Sequence, residues 1–137
     1  MAREKSLHSL CRWTFNAGKG GFVPGNVRPA WATDKLDTAD TIRLIKEKIA
    51  PRLPEHVELG FEMHYNNEIN EQNVEAVSAA LKETGQHLAM ITPGAHTHLG
   101  YGGMCSLDPK EREFAAQLGR GTVELAYGPL RQNWHPD

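Results

Sequence analysis

The segment from residue 57 to residue 92, VELGFEMHYNNEINEQNVEAVSAALKETGQHLAMIT, decides the fold because its pattern predicts a strand, a helix and a second strand in turn. Val57–His64 and His87–Thr92 have the length and residue types of short strands. The helix between them has one apolar face, formed by Val74, Val77 and Leu81. Asn70 can cap this helix, and Gly85 supplies the left-handed residue that ends it. This order predicts two parallel strands joined by a crossover helix.

A similar unit precedes this segment. Residues 10–15 contain the β-favouring Trp13, Thr14 and Phe15 and predict a first strand, which is followed by a long loop rich in Gly, Pro and Asn. Asp37 or Thr38 can cap the next helix, which should end at Pro51. The apolar stripe of that helix is formed by Ile42, Ile45 and Ile49.

A further unit follows it. Asp108 and Pro109 predict a third helix, with an N-cap followed by proline at the first helical position. We expect this helix to end at Gly119 and residues 122–127, TVELAY, to form a fourth strand. Four βα units in one domain, residues 1–137, fit an open parallel sheet or half of a (β/α)8 barrel, and the pattern alone favours neither.

Composition excludes several classes of function. The net charge is −2 and no cluster of Lys and Arg is present, so a nucleic-acid partner is not expected. No apolar run approaches the ~20 residues that cross a bilayer, and the amino end does not resemble a signal peptide, so we expect a soluble, cytoplasmic protein with no membrane partner. Cys11 and Cys105 have no spacing typical of a zinc site and are expected to be reduced.

Polar and aromatic residues follow the predicted strands, at the edge where parallel α/β folds bind ligands. His64 ends the second strand and can act as a general acid or base if Asn67 or Glu68 orients it, although a surface histidine is an equal alternative. Trp13 and Phe15 alternate on the first strand, and either pack in the core or stack against the C–H face of a sugar.

The third strand contributes further candidates. Thr92 ends that strand, and His96 and His98 would face the same side of an extended segment. The two histidines can bind sugar hydroxyls, share a metal ion with an acid such as Glu62, or lie in an ordinary polar loop.

Five short motifs in these loops resemble the xylose isomerase family of metal-dependent (β/α)8 barrels, which interconvert aldoses and ketoses. In chain order they are Trp13-Thr14, Arg28-Pro29-Ala30, Met63-His64, Thr97-His98 and Gly102-Gly103. The resemblance implies half of a (β/α)8 barrel in which His64 is catalytic. The functional hypothesis that we build on this resemblance is that the sugar is bound by Trp13, Phe15, Thr92, His96 and His98.

The resemblance further implies a divalent metal ion, magnesium or manganese. In the family the metal-binding acids and the catalytic lysine come from strands five to eight, so the full site is expected to lie outside this chain. The chain is therefore interpreted as the N-terminal half of a sugar isomerase, inactive alone and completed by a homodimer or a complementary half-barrel. A non-catalytic self-associating half-barrel or carbohydrate-binding remnant is the alternative, and a hydrolase with a metal on His64, His96 and His98 is a third.

Overall fold

The computed structural model describes residues 4–15, 37–95 and 98–131, which form a mixed α/β unit. A parallel sheet has the strand order β1-β2-β3. Its strands are β1 (Ser6–Cys11), β2 (Val57–His64) and β3 (His87–Thr92). The α-helices are α1 (Thr38–Lys48), α2 (Val74–Thr84) and α3 (Pro109–Tyr127). Short 3-10 turns span Arg12–Phe15, Ala50–Arg52 and Gly103–Cys105.

The predicted bounds of β2 and β3 are confirmed, and so are the predicted starts of α1 and α3 and the predicted end of α2, whereas α1 ends at Lys48, before Pro51. Asp37 caps α1 by accepting a hydrogen bond from the N–H of Asp40 at 2.8 Å, and Asp108 caps α3 in the same way. Gly85 ends α2 in the left-handed conformation. Asn70 lies three residues too early to cap α2, and its side chain instead accepts hydrogen bonds within the turn that leads to the helix.

The first strand was predicted in the wrong place. β1 comprises Ser6–Cys11, which pairs in register with residues 57–62, and Arg12–Phe15 forms a 3-10 turn beyond its end. The residues of β1 are largely exposed and lack apolar alternation, so the β-favouring aromatic residues just after them gave the stronger signal. Trp13 and Phe15 therefore do not alternate on a strand, and they point to different surroundings.

The predicted fourth strand at residues 122–127 is also wrong, because these residues continue α3. The buried positions of α3 recur at helical spacing through this stretch: Ala115, Leu118, Thr122, Leu125 and Ala126. Gly119 does not end the helix. The described residues thus form three strands, and the half-barrel stays a prediction. In the described ranges, no helix is long and apolar enough to cross a membrane.

The two faces of the sheet differ. Leu59, Phe61 and Met63 of β2 point into the hydrophobic core, where the helices contribute Ile42, Ile45, Val77, Leu81 and Leu125. Because side chains alternate along a strand, Gly60, Glu62 and His64 point to the opposite face. The candidate catalytic histidine therefore lies on the face away from the core, at the carboxyl end of β2.

A bulge in the pairing of β2 with β3 decides which residue lies beside His64. The register shifts between Phe61 and Glu62, so that Glu62 pairs with Met90 and His64 pairs with Thr92. Without the extra residue in β3, Ile91 would occupy that place. The bulge therefore brings a hydroxyl group, rather than an aliphatic side chain, next to the histidine.

Candidate functional site at the carboxyl ends of the strands

His64 lies on the sheet face opposite the hydrophobic core, but its neighbours bury it, and 9% of its side chain is exposed. Three neighbours enclose it: Trp13 from the turn after β1, Glu68 from the turn after β2, and Gly94 from the loop after β3. Each neighbour follows a different strand. The arrangement agrees with the rule that the loops at the carboxyl ends of parallel strands form the ligand site.

Glu68 contacts both the backbone and the side chain of His64. One carboxylate oxygen accepts a hydrogen bond from the backbone N–H of His64 at 2.6 Å and lies 3.2 Å from its Nδ1. The carbonyl oxygen of Glu68 in turn accepts hydrogen bonds from the hydroxyl of Thr38 at 2.6 Å and from the amide of Asn73 at 3.0 Å. Of the two residues expected to orient His64, Glu68 therefore makes this contact, and the starts of α1 and α2 hold it in place.

The turn between these two residues brings the carboxylate back over the strand end. Asn66 adopts a left-handed conformation with φ of 71°, and the backbone N–H groups of Glu68 and Ile69 both donate to the carbonyl of His64. Asparagine is one of the few residues that adopts this conformation readily. Ile69 is fully buried, so the core fixes the far end of the turn.

Trp13 stacks on the imidazole ring. The two ring centroids are 4.0 Å apart and the ring planes differ by 10°. This contact fixes the plane of the imidazole while Glu68 fixes its rotation within that plane. The arrangement restricts the histidine to one orientation, which is the usual requirement for an acid or base that must meet a substrate in a defined position.

Proton chemistry follows from the contact with Glu68. A carboxylate accepts hydrogen bonds, so the contact with Glu68 favours the tautomer of His64 that carries its proton on Nδ1. In the neutral ring the lone pair is then on Nε2. The site can therefore present a base at Nε2, and after protonation the same atom is an acid.

Gly94 allows the loop after β3 to approach the histidine. Its φ is +60°, and a Cβ atom at this position would lie 3.1 Å from the Cβ of His64. Both the left-handed conformation and the close approach favour glycine here. Nothing in the residue pattern distinguished this glycine from the other loop glycines, so sequence reasoning missed it.

Arg12 is the second residue that sequence reasoning missed. It is buried, with 4% of its surface exposed, in the turn that carries Trp13. Burial lowers the pKa of its guanidinium, and the negative charges of Glu68 and Asp37 act in the opposite direction. A lone arginine within the predicted first strand gave no signal, because arginine is usually exposed.

The remaining predicted site residues lie in different surroundings. Thr92 is paired with His64 across the sheet, and its Oγ1 is buried without a hydrogen-bond partner among the described residues. Phe15 packs against the hydrophobic core. His98 is exposed and lies edge-on to the ring of Phe114, with ring centroids 6.3 Å apart. His96 lies outside the described residues, as do Thr97 and the Arg28-Pro29-Ala30 motif.

The described residues do not fit a magnesium or manganese site. No group of three or more His, Cys, Asp or Glu side chains in ranges 4–15, 37–95 and 98–131 is arranged to hold a metal ion. Glu68 already accepts two contacts from His64, and Glu62 accepts the thiol hydrogen bond of Cys11 at 3.8 Å. Magnesium is usually held by one or two carboxylates together with several water molecules, and both of these carboxylates already make other contacts.

Comparison with protein-family models, with curated proteins and with solved structures finds no match in any of the three.

Proposed function

We propose that this chain is the N-terminal half of a xylose isomerase-like sugar isomerase, and that Trp13, His64 and Glu68 bind an aldose and open its ring. The observation that carries the proposal is the His64–Glu68 pair, with Nδ1 and the carboxylate oxygen 3.2 Å apart, under a tryptophan stacked on the imidazole. The resemblance to the family assigned His64 to the sugar ring and Trp13 to the sugar pocket. The two residues are in direct contact, which supports a shared site.

Ring opening needs only proton transfer. The Nε2 atom of neutral His64 takes the proton of the anomeric hydroxyl, the bond between the anomeric carbon and the ring oxygen breaks, and that oxygen takes a proton from water. The products are the open-chain aldehyde, a hydroxide ion from that water and an imidazolium, whose Nδ1 stays in contact with Glu68. The hydroxide then takes the proton from Nε2, which re-forms water and the neutral imidazole. The buried hydroxyl of Thr92 is available to bind a neighbouring sugar hydroxyl, and His96 and His98 are proposed to bind others.

The sheet supports the half-barrel part of the proposal. Three parallel strands have their core on one face, whereas the other face carries polar residues and the site. In a (β/α)8 barrel the helices cover the outer face and the inner face lines the barrel. Completion of the barrel would need further strands, from a second copy or a complementary half, which would also supply the ligands for magnesium or manganese. We therefore expect no aldose–ketose conversion by the single chain.

The test is the rate of exchange between the two anomers of D-xylose, measured by magnetisation-transfer NMR with the purified chain. We expect faster exchange with the native chain and loss of that acceleration in His64→Gln. His8→Gln is a matched control because His8 is exposed on β1. Equal rates with the native chain and with His64→Gln, both being folded, would contradict the proposal.

A second candidate function is self-association without chemistry. Leu7 is 36% exposed and Met90 is 44% exposed. Both lie on the sheet face opposite the hydrophobic core, because they pair with Glu58 and Glu62 of β2. A second chain that covered this face would bury them and gain hydrophobic stabilisation. Light scattering distinguishes the cases: a dimer without anomer exchange or sugar binding favours self-association alone, whereas a monomer with its sheet face exposed contradicts it.

A further inference from the structure

We propose that Arg12 is a positioning residue that offsets the negative charge of Glu68 and thereby keeps the ring of His64 neutral near neutral pH. The inference deepens the proposed ring opening and rests on it, because only the neutral ring has a lone pair on Nε2 that can accept the sugar proton. Arg12 touches no substrate in this scheme. It acts through Glu68.

The position of Arg12 in the fold supports this role. It begins the turn after β1, and the next residue in that turn, Trp13, stacks on His64. The start of α1 meets the same region, because the hydroxyl of Thr38 donates to the backbone carbonyl of Glu68 at 2.6 Å. Arg12 is buried where the end of β1, the start of α1 and the turn after β2 come together.

Two negative charges and burial have opposite effects on the pKa of Arg12. The charges of Glu68 and Asp37 act on the buried guanidinium and favour its charged form, while its burial acts against that form. Glu68 is therefore shared between a permanent cation and the imidazole of His64. Without the guanidinium, the carboxylate would act on the imidazole alone and favour the imidazolium, which cannot accept a proton.

Other ionisable groups near His64 are already engaged. On β2, Glu62 points to the same face and accepts a hydrogen bond from the thiol of Cys11 on β1. In the turn after β2, the hydroxyl of Tyr65 donates to Glu71 at 2.7 Å, and Glu124 of α3 acts on that same hydroxyl. On the side of β3, the residues that meet His64 are the uncharged Thr92 and Gly94. Arg12 is thus a buried positive charge that interacts with Glu68.

The test is an NMR titration of the His64 ring nitrogens in the ¹⁵N-labelled native chain and in two variants. We expect the neutral ring of the native chain to carry its proton on Nδ1. In Arg12→Gln we expect the pKa of His64 to rise by about one pH unit or more, as an uncompensated carboxylate would cause. Arg12→Lys keeps the charge and should leave the pKa of His64 close to the native value.

Arg43→Gln is the control, since Arg43 is exposed on α1 and pairs with Glu83 and Asp40. A proton on Nε2 in the native chain, or an unchanged pKa of His64 in folded Arg12→Gln, would overturn the proposal. If Arg12→Gln does not fold, Arg12→Gln combined with Glu68→Gln is compared with Glu68→Gln alone. Because Arg12 acts through the charge of Glu68, the pKa of His64 should be the same in these two variants, and a rise on removal of the guanidinium would overturn the proposal.

The titration is independent of the sugar. An unchanged pKa of His64 in folded Arg12→Gln, with anomer exchange intact in the native chain, would remove the role of Arg12 and leave the proposed function standing. If the pKa of His64 rises as expected in Arg12→Gln but the native chain does not accelerate anomer exchange, the role of Arg12 is supported and the proposed function is contradicted.

Discussion

Replacement of Gly121 by alanine tests the part of the fold that differs most from the sequence-based expectation. Gly121 lies within α3, and its Cα faces the ring of Tyr65 from the turn after β2. A Cβ atom at this position would meet the hydroxyl oxygen of Tyr65 and would lie 2.6 Å from its Cζ and 2.9 Å from its Cε1. These distances are too short for carbon contacts, so the tyrosine ring would have to move.

Two opposing contributions determine how much Gly121→Ala changes the free energy of unfolding. Alanine in place of glycine in a helix stabilises by about 1 kcal/mol, and overpacking of the kind described costs about 1–3 kcal/mol. Gly119 is a matched control on the same helix, because a Cβ atom there would meet only the terminal methyl of Met104 at 3.7 Å. Gly119→Ala should therefore stabilise the chain by up to about 1 kcal/mol, and Gly121→Ala should be about 1–3 kcal/mol less stable than Gly119→Ala.

Urea unfolding followed by circular dichroism gives both free energies of unfolding. The same two substitutions made in a Tyr65→Ala background should have similar, stabilising effects, because the ring that Gly121 accommodates is gone. Equal stabilisation by Gly119→Ala and Gly121→Ala in the native background would refute the reasoning.

Three further predictions concern the site and its surroundings. Glu68→Gln should lower the free energy of unfolding by about 2 kcal/mol because it removes the buried carboxylate that accepts the hydrogen bond from the N–H of His64, whereas the exposed Glu113→Gln should change it by about 0.5 kcal/mol or less in the same urea experiment. Gly94→Ala should lower the free energy of unfolding by about 2 kcal/mol, because residue 94 has a left-handed backbone and its Cβ atom would crowd that of His64, and it should shift the NMR signals of His64. Gly100→Ala should have neither effect, because a Cβ atom there would have no neighbour within 4 Å. The hydrogen bond to Glu71 and partial burial raise the pKa of Tyr65 to about 12, so the protonated phenol stabilises the fold fully below pH about 10 and this contribution is lost as pH rises towards about 12. An ultraviolet titration should show a late tyrosinate step that is absent from Tyr65→Phe.

The sequence predicted β2, α2 and β3 well because each has a regular signal of its own. The apolar face of α2 has helical spacing, and Gly85 marks its end. β2 is buried enough to need apolar residues, and β3 is partly buried. β1 lacks this signal, because its largely exposed residues are held by hydrogen bonds to β2 rather than by burial.

The end of α3 could not be predicted from local pattern. Residues 122–127 have β-favouring side chains, and two glycines precede them. The helix continues because Thr122 and Leu125 face the core and because Tyr65, more than fifty positions earlier, packs against Gly121. That contact depends on the tertiary structure, which outweighs local propensity.

The site was predictable in part. His64 and Glu68 lie four residues apart at a strand end, and their types suggested an oriented base. Trp13 was identified from its residue type, although its place in a 3-10 turn, and hence its stacking on His64, was not. Arg12 was missed, since its burial depends on three elements that meet only in the folded chain.

The measurement that tests the central claim most directly is an NMR titration of the native chain with D-xylose, recorded on labelled ring and amide nitrogens. The proposed function predicts binding in the millimolar range, with the largest shifts at the indole of Trp13, the ring of His64 and the amide of Thr92, and with the shifts abolished in Trp13→Ala. Saturable shifts centred elsewhere, or none at these residues while the chain remains folded, would contradict a sugar site at the carboxyl ends of the strands.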